Sequence, residues 1–154
     1  MFVQLIGDKH NAQEILFKIK QWDRAIESLD LQAITDMCSD HFKVFDVSSQ
    51  QNNVSELKQL WEKYSSDFVD DVRVYRRKVE IHAKSDLAFM HCYSKIDYAD
   101  TTRALNLPWC RTTFCFEKIQ GKWKVAHQHI SIPNSLLNRT GFIGDFLFKL
   151  GYLT

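Results

Sequence analysis

The 154-residue chain is 45% hydrophobic and 13% aromatic, enough for one well-buried domain, and no shift in composition marks a second. Its 20 basic and 19 acidic residues leave a formal charge of +1, which excludes the basic field that draws proteins to nucleic acid or anionic membranes. No apolar run approaches the roughly 20 residues of a membrane span, and Met1-Phe2-Val3-Gln4 does not begin a basic-then-apolar secretory leader, so a soluble cytoplasmic protein is expected.

In a reducing compartment Cys38, Cys92, Cys110 and Cys115, none in CxxC spacing, read as small buried hydrophobes rather than as disulfide, redox or zinc residues. The sequons at Asn53 and Asn138 then carry no weight.

In chain order, Ile15, Leu16, Ile19, Trp22, Ile26 and Leu29 recur at helical spacing, and Asn11 followed by Glu14 has the pattern of an N-terminal cap. Asp30 caps a shorter second helix carrying Ala33, Ile34 and Met37, and residues 41–46 read as a strand before a polar loop over 47–52. Asn53 and Glu56 repeat the cap spacing ahead of a third helix, whose stripe is Leu57, Leu60, Trp61 and Tyr64. Trp22, Trp61, Tyr64 and Phe68 form an aromatic stripe that helical spacing assigns to core before ligand cage.

Four segments rich in β-branched and aromatic residues follow, 72–82, 86–98, 109–119 and 122–132. Within the first, Arg76-Arg77-Lys78 reads as a solvated strand edge. Pro108 and Pro133 flank strands, where they disturb a ladder least. Helices first and sheet afterwards is the order of an α+β domain with helices on one face of an antiparallel sheet.

The Gln120-Gly121 turn sets the register of the last hairpin. A two- or four-residue loop places Phe116 opposite Val125, Phe114 opposite His127 and Thr112 opposite His129. Alternation then puts His127 and His129 on the apolar face with Trp123, Val125, Thr112, Phe114 and Phe116, beneath the helices. A bulge would move that assignment by one residue. Two imidazoles at alternate positions lie about 7 Å apart by strand rise. A third ligand from Asp46 or His91 would be needed for a metal, so neither metal nor cofactor is expected. The competing reading of the pair is two core histidines bonded to backbone or to Ser131.

The order helix, helix, short strand ending in Asp, helix and four-strand meander, closed by Gly121-Lys122-Trp123, His127, His129, Ser131 and Pro133, resembles the SnoaL-like and ketosteroid-isomerase-like group of the nuclear transport factor 2-like superfamily. The likeness covers residues 12–133. Its closing motif is also similar to the association domain of calcium/calmodulin-dependent kinase II. The resemblance implies a cone-shaped, curved antiparallel sheet with helices packed on its concave face, of nuclear transport factor 2-like or cystatin-like type, enclosing a cavity, with dimers common. Its members include enzymes, binding modules and oligomerisation hubs, so it leaves function open.

Compared residue by residue with the ketosteroid isomerases, Asp46 occupies the place of the general base. The oxyanion tyrosine falls on Trp22 and the oxyanion acid on about Thr113, so both strong oxyanion donors are replaced and the known steroid arrangement is not expected. The enzyme reading therefore takes Asp46 as base and His127 or His129 as acid or oxyanion donor. Trp22, Trp61, Tyr64, Tyr98, Trp109, Thr112 and Phe114 complete the pocket. The alternative for Asp46 is a cap on the following loop. Arg111 resembles the basic residue that opens the penultimate strand in SnoaL-like proteins; it either binds a ligand carboxylate at the pocket mouth or pairs with Asp97. Two pocket arginines of the kinase association domains fall on Ser94 and Phe114, so that cationic cavity is not expected.

Residues 1–133 are thus read as the domain and 134–154 as an extension, with Phe142, Ile143, Phe146, Leu147 and Leu150 on one helical face that docks on the domain or on a dimer partner. The expected partners are a small apolar ligand and a second copy of the chain. The two function classes are an isomerase, cyclase or dehydratase acting next to a carbonyl, and a non-catalytic binding or assembly module.

Overall fold

The chain begins with a strand that the sequence pattern does not announce. In a computed structural model, which describes residues 2–64 and 71–133, β1 (Val3–Gly7) pairs in parallel with a strand more than seventy residues later. Gly7 ends it at φ +82°, and a Cβ there would sit 2.3 Å from the Ala83 carbonyl oxygen, so the close approach requires glycine.

Helix α1 (Lys9–Glu27) starts one turn earlier than the Asn11–Glu14 spacing predicts. Asp8 is the cap, accepting the Asn11 N–H at 2.9 Å. Asn11 is buried instead, its amide donating to the Lys84 carbonyl and accepting from Lys118 Nζ, which ties the helix start to the sheet. Leu29, expected on the helical stripe, lies at φ +54° just past the helix end. There its N–H and that of Asp30 bond back to Ile26 and Ala25, closing the helix. Asp30 caps α2 (Leu31–Met37) through the Ala33 N–H, as predicted.

The second cap is also borne out. Asn53 accepts the Glu56 N–H at 2.9 Å while Glu56 reaches back to the Asn52 N–H at 2.7 Å, at the start of α3 (Val54–Tyr64). Between α2 and α3 run β2 (Cys38–Phe45), three residues longer at its start than expected, and β3 (Gln50–Gln51), within the expected loop.

The remaining strands are β4 (Val72–Ala83), β5 (Leu87–Tyr98), β6 (Cys110–Ile119) and β7 (Lys122–Ser131), close to the four expected segments. The seven lie in one sheet ordered β1-β4-β5-β6-β7-β2-β3. The β4 to β7 meander is antiparallel, whereas β1 and β2 add in parallel to β4 and β7. The sheet is curved and unclosed, and the helices cover one face of it.

The core between these layers is built from Ile15, Ile19 and Trp22 of α1, Phe42 and Val44 of β2, and Phe114, Phe116 and Val125 of the last hairpin, all almost fully buried. Trp22 meets Phe114 edge-on at 5.6 Å and Phe42 at 6.2 Å. Burial of each large apolar side chain contributes roughly 1.5–3 kcal/mol. Among the described residues no helix is long and apolar enough to cross a membrane. The expected helix over 142–150 lies outside the described residues.

Candidate functional site

The β6–β7 hairpin decides what the cone contains. Gln120 and Gly121, both at positive φ, make the expected two-residue turn, and Phe116 pairs with Val125 as predicted. A bulge at Ala126 then shifts the register: His127 pairs with Cys115, Gln128 with Phe114 and His129 with Thr113. Trp123 and Val125 point into the core, and beyond the bulge that role passes to Gln128, Ile130 and Ile132. The expectation that both histidines lie beneath the helices is therefore corrected. They sit on the outer face against Phe45, at ring distances of 4.9 and 6.1 Å. His127 is partly covered and its imidazole bonds the Lys43 backbone; burial outweighs that bond and holds it below the ordinary histidine pKa, and the neighbouring His129 lowers it further.

The inner face encloses a cavity of about 210 Å³. Trp22 and Ile26 of α1 and Leu57, Leu60 and Trp61 of α3 form its roof, and Val44, Val74, Ile96, Ile130 and Ile132 its sheet side. Asp46 closes one corner, just past β2, where its N–H bonds the Ser49 carbonyl and its carboxylate accepts the Val47 N–H at 2.7 Å. It lines the cavity and at the same time caps its own loop. Gln51, Ser94, Lys95, Cys110 and Gln128 are the other polar lining groups, with Arg76.

Arg76 departs from the sequence reading, which placed it on a solvated edge. Its side chain is 5% exposed and binds Asp23 of α1 through Nε at 2.9 Å and Nη2 at 2.6 Å. Nη1 lies 3.4 Å from Cys92 Sγ, and the guanidinium stands over the Phe114 ring at 5.3 Å. Burial works against both charges: it raises the Asp23 carboxyl, with Arg76 opposing, while Asp23 offsets burial at Arg76 and raises the guanidinium. The signal available in the sequence was alternation, since Val72, Val74 and Arg76 share the inward face of β4.

The other expected site residues divide. Trp22, Trp61 and Asp46 line the cavity together. Phe114 lies beneath Trp22, one layer behind the lining, and Thr112 is buried with its hydroxyl bonded to Ser94 Oγ. Trp109 stacks under the Arg77 guanidinium at 3.9 Å and Tyr98 under that of Arg103 at 3.8 Å, both away from the cavity. Arg111 is exposed and its expected partner Asp97 is taken by Lys95 at 2.5 Å and by the Tyr98 and Leu105 N–H groups. The side chain of Tyr64, like Phe68, lies outside the described residues. Among the described residues no group of three potential metal ligands comes together.

The SnoaL-like domain family matches residues 15–135. A nuclear transport factor 2-like protein of unknown function from Pseudomonas putida KT2440 superposes with a TM-score of 0.72 at 23% identity, covering 82% of this chain and 89% of its own. The association domain of C. elegans calcium/calmodulin-dependent kinase II gives 0.67 at 17%, covering 81% and 98%. A candidate ketosteroid isomerase from Shewanella frigidimarina gives 0.61 at 14%, covering 74% and 91%. Structures with a cystatin-like fold are also among the matches. These likenesses establish the fold, and no curated protein matches the chain in sequence.

Proposed function

We propose, on the premise that this chain belongs to the SnoaL-like domain family, that it binds a compact, mostly apolar molecule in the cone and moves a proton next to a carbonyl with Asp46 as base. One observation carries this reading: Asp46 is the one carboxylic side chain among the described residues lining a cavity walled mostly by tryptophans and aliphatic groups. At about 210 Å³ the cavity falls below the roughly 300–1,000 Å³ of drug-sized sites, which favours a ligand of one or two rings. In such surroundings Asp46 takes a proton from the carbon beside the carbonyl and returns it to another carbon. With both histidines on the outer face, the donors left along the lining for a developing enolate oxygen include Lys95, which also holds Asp97, Ser94, whose hydroxyl also meets Thr112, and the Trp22 indole.

A second reading, a binding module without chemistry, is favoured by the Asp46 carboxylate being engaged by the Val47 N–H. A cytoplasmic homodimer belongs to the proposal in either case. The dimer, though not the location, is supported by the outer face, where Phe45 and Phe89 stand exposed. Residues 134–154 are assigned to covering the domain or the dimer partner.

Exchange of α-protons of small cyclic ketones in D₂O, followed by NMR, separates the two readings. Wild-type protein should accelerate exchange, and Asp46→Asn should lose about 10²-fold or more of that rate while binding the ketone as before. Equal rates in the variant would refute the base assignment; ketone binding with no exchange in wild type would leave the binding module.

A further inference from the structure

We infer that Gln128 anchors the ligand of the cone by its carbonyl oxygen, which makes the preferred ligand a neutral ketone with its neighbouring carbon turned to Asp46. The inference rests on the reading of the cone as a site for small carbonyl compounds. Gln128 pairs with Phe114 of β6 on one side and with Val44 of β2 on the other, both buried in the core, and shares their inward direction. His127 and His129 on either side of it take the outer face, while Ile130 and Ile132 continue the inward row. An amide on this row interrupts an aliphatic wall. The residue is only partly buried, and because its strand neighbours turn outward, the surface it keeps opens into the cavity it lines. Among the described residues its amide has no hydrogen-bond partner, whereas the Ser94 hydroxyl meets Thr112. A polar group set among apolar ones and left free towards a cavity is the kind that orients a ligand. With no partner to fix it, the amide can turn its N–H groups to a ligand oxygen.

Register and charge narrow the geometry and the class. Asp46 stands two positions beyond Val44 and lines the same cavity, so strand rise and spacing put its Cα roughly 8 Å from that of Gln128. A ketone oxygen held by the Gln128 amide nitrogen therefore leaves the carbon beside the carbonyl on the Asp46 side. Among the described residues the cations lining the cavity are Arg76 and Lys95, and each already holds a carboxylate, Asp23 at 2.6 Å and Asp97 at 2.5 Å. An anionic ligand would enter an apolar cavity without a counter-ion of its own or would have to break one of these pairs. A neutral carbonyl avoids both costs and takes the donor that Gln128 offers.

Cyclohexanone and methylenecyclohexane differ only in the exchange of an oxygen for a CH₂ group, and together they test the anchor. Both are titrated into wild type, Gln128→Leu and Gln128→Met, with affinities read from ¹H–¹⁵N spectra. The carbonyl stretch of bound ¹³C-labelled ketone is read from isotope-edited infrared difference spectra. In wild type the stretch should lie below its value in hexane, and both variants should lose that shift. Ketone affinity should fall about tenfold in the variants, the loss of one hydrogen bond, while methylenecyclohexane binds them as well as before or better. A wild-type stretch at the hexane value, a stretch unchanged in the variants, or equal losses for both ligands overturns the inference alone. Failure of both variants to fold overturns it by making Gln128 structural. A carbonyl shift that depends on Gln128, without proton exchange in D₂O, supports the anchor and removes Asp46 as base. If cyclohexanone does not bind wild type, the carbonyl reading of the cavity falls, and this inference with it.

Discussion

Breaking the Asp23–Arg76 pair should destabilise the protein unequally from its two ends. Loss of one partner of a buried ion pair typically costs about 3–5 kcal/mol, most of it the penalty of leaving the other charge buried. In Asp23→Leu the stranded group is a guanidinium, 5% exposed and unable to shed its proton, so the full range applies. In Arg76→Met the stranded group is Asp23, 17% exposed and already pushed above the ordinary carboxylate range by burial. It escapes by taking up a proton, which holds the cost to about 3 kcal/mol or less, at or below the low edge of that range. That cost should shrink further from pH 7 to pH 5, as protonation becomes easier. The double variant Asp23→Leu/Arg76→Met should return to within about 2 kcal/mol of wild type, since apolar replacement of a whole pair is often neutral or better. Urea unfolding followed by tryptophan fluorescence measures all four proteins, because Trp22 packs on the Phe114 ring that Arg76 covers. Single variants costing under about 1 kcal/mol, a costlier Arg76→Met than Asp23→Leu, or additive effects would refute the reasoning.

Cys110 lines the cavity with its thiol pushed up to about 11, by burial first and by Asp46 second, so at pH 8 about one part in a thousand is thiolate. Its alkylation by iodoacetamide, timed by mass spectrometry, should run about 10²-fold slower than that of a free thiol. Labelling at the free rate would remove the burial argument. His127 should titrate below the ordinary histidine value of 6.5 in NMR. A lowered folded pKa means that the unfolded chain binds the proton more tightly. Its contribution to stability is therefore full above the ordinary histidine range and is lost as pH falls through it. His127→Gln should flatten that part of the stability profile, and an unchanged profile would count against the assignment.

Much of the fold was readable because its signals are local. Asp30, Asn53 and Glu56 announce their helices through bonds to residues three or four away, and Gln120-Gly121 announces its turn. What was missed depends on distant partners. β1 has five residues and no clear alternation, and it exists because β4 offers an edge beside Gly7. Asn11 has the spacing of a cap, yet Lys84 and Lys118 claim its side chain, and Asp8 caps in its place. For the site, one bulge at Ala126 was enough to move His127 and His129 out of the cone and bring Gln128 and Ile130 in. No residue type in that strand requires a bulge. Arg76 was legible by alternation but hidden by its basic neighbours, and only Asp23, more than fifty residues earlier, makes its burial tolerable.

The parallel pairing of β2 with β7 joins Val44 to Gln128 and Phe45 to His129, partners more than eighty positions apart. A chain emerging from the ribosome must therefore hold β2 unpaired on that side until nearly the whole domain has been made. Contacts of such long separation slow folding, because loop-closure entropy is spent before they form. They also leave a strand edge available to other molecules during synthesis. Since Trp22 and Ile132 line the same cavity, fragments ending before β7 should hold no pocket at all, and ligand could stabilise this protein only after the last strand has docked.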